Sequence, residues 1–149
     1  MATLTTTLTE NLTLNNSLRG STNSVTTENI NDVFERIVTC TASVVTTVAV
    51  FDTLPSTSAG AIDVDRTKYI RVTNLEAEVD IELAVVTTNT NYQVTLTAGQ
   101  SHILCSGSAV ALGEVDTTPS FGTMENITSL QVKPTTAVTA RVEVFVGVE

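Results

Sequence analysis

Apolar residues in this chain recur at every second position, and this alternation limits its fold more than any other feature. Between Lys68 and Cys105 it appears in three successive runs. Tyr69, Arg71 and Thr73 alternate with Ile70 and Val72. Glu76, Glu78, Asp80 and Glu82 alternate with Ala77, Val79, Ile81 and Leu83. Tyr92, Val94 and Leu96 alternate with Gln93, Thr95 and Thr97. Successive strand side chains point to opposite faces, so each run predicts a strand with one buried and one wet face. The last run is the strongest: Val138, Ala140, Val142, Val144, Val146 and Val148 share one face, and Thr139, Arg141, Glu143, Phe145 and Gly147 the other.

Turn-forming residues separate these runs. Residues 52–67 hold Pro55, Ser56, Ser58 and Gly60 and read as a loop. Gly99 and Gln100 turn the chain into a short strand at 101–105, and Ser106-Gly107-Ser108 ends it. A longer loop is expected over 113–126, with Gly113, Pro119 and Gly122, then a strand from Ile127 to Val132 closed by Pro134. Residues 29–38 carry Ile30, Val33, Phe34 and Ile37 at helical spacing but run into β-rich sequence. A strand from about Phe34 is favoured, with a helical turn before it as the alternative. The expected fold is all-β: an antiparallel, jelly-roll-like β-sandwich of about eight strands over residues 28–149.

Residues 1–27 stand apart. They are polar and Thr-rich, with Leu4, Leu8, Leu12, Leu14 and Leu18 spaced along them and a Gly20-Ser21-Thr22-Asn23 breaker after. Five leucines are too few for a core of their own. They suit a hairpin, or an extended N-terminal arm that docks on a neighbouring subunit, and they are the candidate interface residues.

Composition narrows the function. The chain has 149 residues, 42% hydrophobic and only 15% charged, with a mean hydropathy of +0.22. Ordinary domains carry about 25% charged residues. No apolar run approaches the roughly 18 residues that span a bilayer as a helix, so no membrane partner is expected and the apolar excess goes into a core or an interface. Thr makes up close to one residue in five; it favours strands and keeps a sheet surface polar without charge. Aromatics are 4%, with no Trp, a poor supply for a small-molecule pocket. The net charge of −9, with seven scattered Lys and Arg, lacks the basic patch that direct nucleic-acid binding needs.

Sites of chemistry are sparse. Asp63-Val64-Asp65-Arg66-Thr67 matches the Asp-x-Asp-x-Thr pattern of aspartyl phosphatases, but that motif follows a parallel strand in an α/β domain. Here it reads as a polar loop tip whose Asp bonds its own backbone. Glu76, Glu78, Asp80 and Glu82 could serve calcium, yet i, i+2 residues on a strand lie roughly 6.5–7 Å apart. A solvated, charged strand that resists edge-to-edge pairing is the plainer reading. His102 is the only histidine, and Cys105, three residues on, should point to the opposite face, which argues against a nucleophile pair. No catalytic, metal or cofactor residue is expected. Cys40 and Cys105 read as buried, reduced thiols, with a disulfide open only if strands 34–40 and 101–105 pair. The N-terminus lacks the basic and apolar stretches of a signal peptide, so the sequons at Asn11, Asn15 and Asn126 are not expected to be used.

One resemblance extends this. The run Lys68-Tyr69-Ile70-Arg71-Val72-Thr73-Asn74-Leu75, the acidic alternating segment after it, Tyr92 to Leu96, the turn Ala98-Gly99-Gln100-Ser101, and Ile127 to Val132 before a Val-rich terminal strand resemble small β-rich virion proteins of tailed bacteriophages, especially marine and cyanobacterial phages. The likeness covers residues 30–148 and leaves out the arm. It implies a non-enzymatic structural role in the virion after synthesis in the host cytoplasm: a capsid decoration (cement) protein, or a neck, tail or fibre component. The implied partners are the chain itself, as a homo-oligomer expected to be a trimer, and the major capsid protein or other virion proteins. A carbohydrate- or receptor-binding β-sandwich is the alternative from another class.

Overall fold

The computed structural model describes residues 1–113, 118 and 121–149. Part of the loop expected over 113–126, including Pro119, lies outside the described residues. The chain is all-β: the described residues form thirteen strands and one short 3-10 turn at Pro55–Thr57. Among the described residues no helix is long and apolar enough to cross a membrane.

Strands β1 (Ala2–Thr9), β2 (Leu12–Leu14), β3 (Ser17–Arg19) and β4 (Thr22–Ile30) build one long hairpin. Its β1–β4 ladder begins at Ala2 opposite Ile30 and shifts register before Leu4, beside Asn29 at φ +63°. From there Leu4 pairs with Thr27, and the same offset carries through Thr9 with Thr22 to Leu12 with Arg19 and Leu14 with Ser17. Asn15 and Asn16 turn the chain at φ +51° and +60°. Positive φ at both central residues is the type I′ pattern, whose twist matches that of the strands it joins. Gly20, at φ +105°, packs so closely on the facing strand that a Cβ there would sit 2.1 Å from the Glu10 carbonyl oxygen.

The body follows: β5 (Asp32–Cys40), β6 (Thr46–Asp52), β7 (Ile62–Asp63), β8 (Thr67–Asn74), β9 (Ile81–Val86), β10 (Asn91–Leu96), β11 (Ser101–Leu104), β12 (Ser129–Pro134) and β13 (Ala140–Val148). They form two sheets, ordered β11-β8-β13-β5 and β10-β9-β12-β6-β7. All pairings are antiparallel except the two-residue β6–β7 contact. The sheets face each other across one core. Ile70, Val72, Val142, Val144 and Val146 from the first meet Ile81, Leu83, Val85, Leu130 and Val132 from the second. Each group alternates with outward residues, as the sequence pattern requires. Residues 32–40 are strand, not helix, because Phe34 and Val38 turn inward against this core.

Three expectations need correction. The described residues form thirteen strands rather than about eight, the excess being the four hairpin strands and the two-residue β7. The acidic run is not a strand: Glu76, Glu78 and Asp80 occupy the loop before β9, and only Glu82 is in that strand. Asn74 holds this loop. It is fully buried, its side-chain amide donates to the carbonyls of Val79 (2.7 Å) and Leu96 (3.1 Å), and its oxygen accepts from the Glu76 amide (3.1 Å). A loop with such a partner needs no ladder of its own. Cysteine is the third: Cys40 is buried but Cys105 is exposed, and both are free. Their segments belong to β5 and to the end of β11, at opposite edges of one sheet, so they do not pair. Burial pushes the Cys40 thiol up, partly offset by the Thr46 hydroxyl.

Candidate interaction surface

The hairpin places the expected interface residues. Paired residues of an antiparallel ladder project to the same face, and alternation reverses the face at each step. The register therefore assigns Leu4, Leu8, Leu12 and Leu14 to one face, together with Val25 and Arg19 from the return strand. Glu10 lies between Leu8 and Leu12, bonded through its amide to Ser21. Leu18 differs from the other leucines: it pairs with Thr13 on the opposite face. That face is otherwise hydroxylic along β1 and β4. Thr5, Thr7 and Thr9 stand opposite Thr26, Ser24 and Thr22, with Thr7 and Ser24 hydroxyls 2.9 Å apart.

Only the base of the leucine face is covered. Leu4 sits near Ile30, Val33, Phe145 and Gly147 on the outer side of the four-stranded sheet. Farther along, Thr5, Thr6 and Thr7 lie by Tyr69, Arg71 and Phe145. There Arg71 holds Glu143 at 2.5 Å and lies over the Phe145 ring, and Tyr69 meets the same ring edge-on. Beyond that point the apolar face is bare: Leu8 is 58% exposed, Leu12 57%, Leu14 54% and Val25 64%. Adjacent exposed leucines at strand spacing form a patch, unlike the single apolar residues scattered on most surfaces. Val25, Arg19 and, on the body, Val33 and Ile37 were not identified from the sequence. The Asn15-Asn16 turn was the signal that pairs Val25 and Arg19 with the leucines.

Other singled-out residues are committed to structure. The Asp63 carboxylate accepts from the amides of Asp65 (3.1 Å) and Arg66 (3.2 Å), and the Thr67 hydroxyl donates to the Asp63 carbonyl at 2.7 Å. This is a turn that bonds its own backbone. Glu76 accepts from the backbone and guanidinium of Arg141, which hold its carboxyl below the usual range. His102 faces Tyr92 across the seam between β11 and β10, with Nε2 3.2 Å from the phenol oxygen. Burial lowers the His102 pKa and raises that of Tyr92. Among the described residues no three His, Cys, Asp or Glu side chains gather as a metal site would need.

A depression of about 680 Å³ is bordered by Phe51, Asp52, Asn89 and Glu125. Its Glu125 is occupied: the Thr87 hydroxyl and both nitrogens of Asn89 donate to it, and the Thr87 hydroxyl leads in holding its carboxyl below the usual range. A carboxylate so held stays ionised at neutral pH and is a poor proton donor. No family model matches this chain, and no curated protein or solved structure does either.

Proposed function

We propose that this chain is a structural protein of a tailed-phage virion: a non-enzymatic capsid decoration (cement) protein that assembles as a homotrimer on the major capsid protein and clamps neighbouring shell subunits. Its site of action is then the virion, after synthesis in the host cytoplasm. One observation carries the reading: a hairpin projects from a well-packed body with its leucine face uncovered past Leu4. Burying such a face on a partner contributes roughly 25 cal/mol per Å², offset by the cost of association.

The body is read as a jelly roll. In support, setting aside the short β7, each sheet has four strands, ordered β11-β8-β13-β5 and β10-β9-β12-β6. The chain changes sheet at every step between these eight strands except the β9–β10 hairpin. That winding is the one two interleaved Greek keys give, and jelly rolls serve in viral capsid and lectin domains. Fold alone does not assign a role; the uncovered hairpin face supports the capsid use over the lectin use. The glycan-binding alternative loses both tyrosines as stacking platforms, since Tyr69 is buried and Tyr92 is engaged with His102; it keeps one exposed ring, Phe121.

Quantitative mass spectrometry of purified particles tests the proposal. A copy number near parity with the major shell protein is the expected result. A few copies per particle would move the chain to the neck, tail or fibre as an adaptor. Absence from particles would overturn the virion reading and return glycan binding to first place.

A further inference from the structure

We infer that the side of the sandwich between β10 and β11 is an acid-released seam: protonation of His102 frees β11 from Tyr92 and opens this edge locally, while the rest of the body stays folded. The inference does not rest on the virion reading.

The seam is a lightly held side of the body. Strand β11 is four residues long and is bonded on one side only, to β8, with His102 opposite Val72 and Leu104 opposite Ile70. Strand β10 is likewise an edge strand, bonded only to β9. Short strands held on one side belong to the low end of a protein's range of local stability. Alternation turns His102 and Leu104 inward from β11, and Tyr92, Val94 and Leu96 inward from β10. Across the gap the His102 ring meets the Tyr92 ring edge-on, with centroids 6.0 Å apart and Nε2 3.2 Å from the phenol oxygen. Among the described residues no other hydrogen bond joins the two strands.

One proton changes this contact. A neutral ring with its hydrogen on Nδ1 presents Nε2 as an acceptor, and the Tyr92 hydroxyl donates to it. The imidazolium carries a hydrogen on both nitrogens, so Nε2–H confronts the hydroxyl hydrogen and the phenol must turn it away. No carboxylate faces the new charge. The inward neighbours are Ile70 and Val72 on β8, Val94 and Leu96 on β10, and Leu104 on β11 itself. Strands β9 and β13 also turn aliphatic side chains inward, and their Glu82 and Glu143 alternate to the outer faces. Tyr92 is the one titratable group in contact, and no ion pair among the described residues involves His102. Burial lowers the His102 pKa from 6.5 with no neighbouring charge to offset it. A group that binds its proton less readily in the closed form favours the open form as pH falls. Opening therefore grows below pH 6.5 and levels off once pH has passed through the lowered value.

Amide hydrogen exchange followed by NMR from pH 7.5 to 5, corrected for the intrinsic pH dependence of exchange, tests this on the full-length chain. His102 is the only histidine, so its ring resonances report the titration directly. As the ring takes its proton, the protected amides of β10 and β11 speed up by roughly two-fold or more, while those of β12 and β13 hold steady. His102→Gln keeps an acceptor but cannot titrate, and it removes the acceleration. Tyr92→Phe keeps the ring and loses the hydroxyl, and it quickens exchange in β11 already at pH 7.5. Acceleration that spreads equally to β12 and β13 overturns the inference, because the proton then acts on the whole fold. Acceleration that survives in His102→Gln overturns it too, as does a Tyr92→Phe seam as protected as the wild type.

Discussion

The hairpin and the body are written in the same residues, and they differ in where their apolar faces go. In β13 the alternate valines face a second sheet, and Val142, Val144 and Val146 have no exposure. In the hairpin the alternate leucines face solvent past Leu4. Alternation makes a strand two-faced but supplies no cover for either face. The body contains its own cover because its chain crosses repeatedly between two sheets. The hairpin consists of two strands only, and an isolated two-stranded ribbon is marginally stable in water. Its persistence depends on the Leu4 anchor, on the Asn15-Asn16 turn and on whatever seats its leucines.

The sharpest break between the regions comes from a core truncation. Leu130 has no exposure and sits in β12, the strand that joins β6 to β9. Leu130→Ala should cost about 2–5 kcal/mol through lost transfer energy and a residual cavity. Urea unfolding followed by circular dichroism measures it. A loss below about 1 kcal/mol would mean that the sheets do not share one core.

Asn74→Ala comes next. It removes donors from the buried carbonyls of Val79 and Leu96 and an acceptor from Glu76. Leaving such groups unpaired costs roughly 1–3 kcal/mol. The loss should be accompanied by faster hydrogen exchange at residues 75–80, and exchange unchanged there would show that the loop holds without Asn74.

That loop also shows what the sequence could tell and what it could not. The strands β8, β10, β11 and β13 were legible because each alternates around aliphatic residues large enough to fill a core: Ile70 and Val72, Val94 and Leu96, Ile103 is outward while Leu104 turns in, and the valines of β13. The acidic run alternated equally well, but between Ala77 and Ile81 it offered only Val79 to the interior. A single buried Asn then outweighed the pattern, and no local signal announces which Asn will reach two carbonyls. The hairpin was half legible. Leu4, Leu8, Leu12 and Leu14 share a face at even spacing, and the arm's exposure followed from having too few leucines for a core. The pairing partner was missed because Asn15-Asn16 was not read as a turn. The Gly20 breaker, inside the arm expected over residues 1–27, lies mid-ladder between β3 and β4 on the returning half of the hairpin.

Gly20→Ala attacks the hairpin and spares the body. A side chain at φ +105° is strained, and the Cβ would collide with the Glu10 carbonyl. The local cost should exceed about 1 kcal/mol. Amide exchange between Leu12 and Arg19 should quicken while the exchange of β13 stays unchanged. Coupled loss of protection in both would show that hairpin and body fold as one unit.

Acid should act on the body through groups that its contacts hold. Glu125 is kept ionised by Thr87 and Asn89, Glu76 by Arg141 and Glu149 by Lys68. Their folded pKa values lie below the ordinary carboxylate value of 4.5, so their stabilisation is complete above that pH and disappears as pH falls through the lowered values. The same sign holds for His102, lowered from 6.5 by burial: the folded state resists its protonation, so stability declines once pH drops below that value. Thermal melts from pH 7.5 to 3 should show a monotonic fall in Tm. His102→Gln should flatten the portion between pH 6.5 and 5, and an unchanged slope there would remove His102 from the account.

The smallest expected effect on folding is also the one that most sharpens the comparison. Leu12→Ala deletes a side chain already 57% exposed. On dissociated subunits its unfolding free energy should stay within about 0.5 kcal/mol of wild type, as for other surface substitutions. At concentrations where the wild type associates, the two should separate, because whatever binds only the folded form adds to its apparent stability. Melting the pair across a dilution series reads this directly. Curves that converge on dilution place the value of Leu12 in a partner; curves that stay apart at every concentration place it within the chain and would make the hairpin part of the body's own fold.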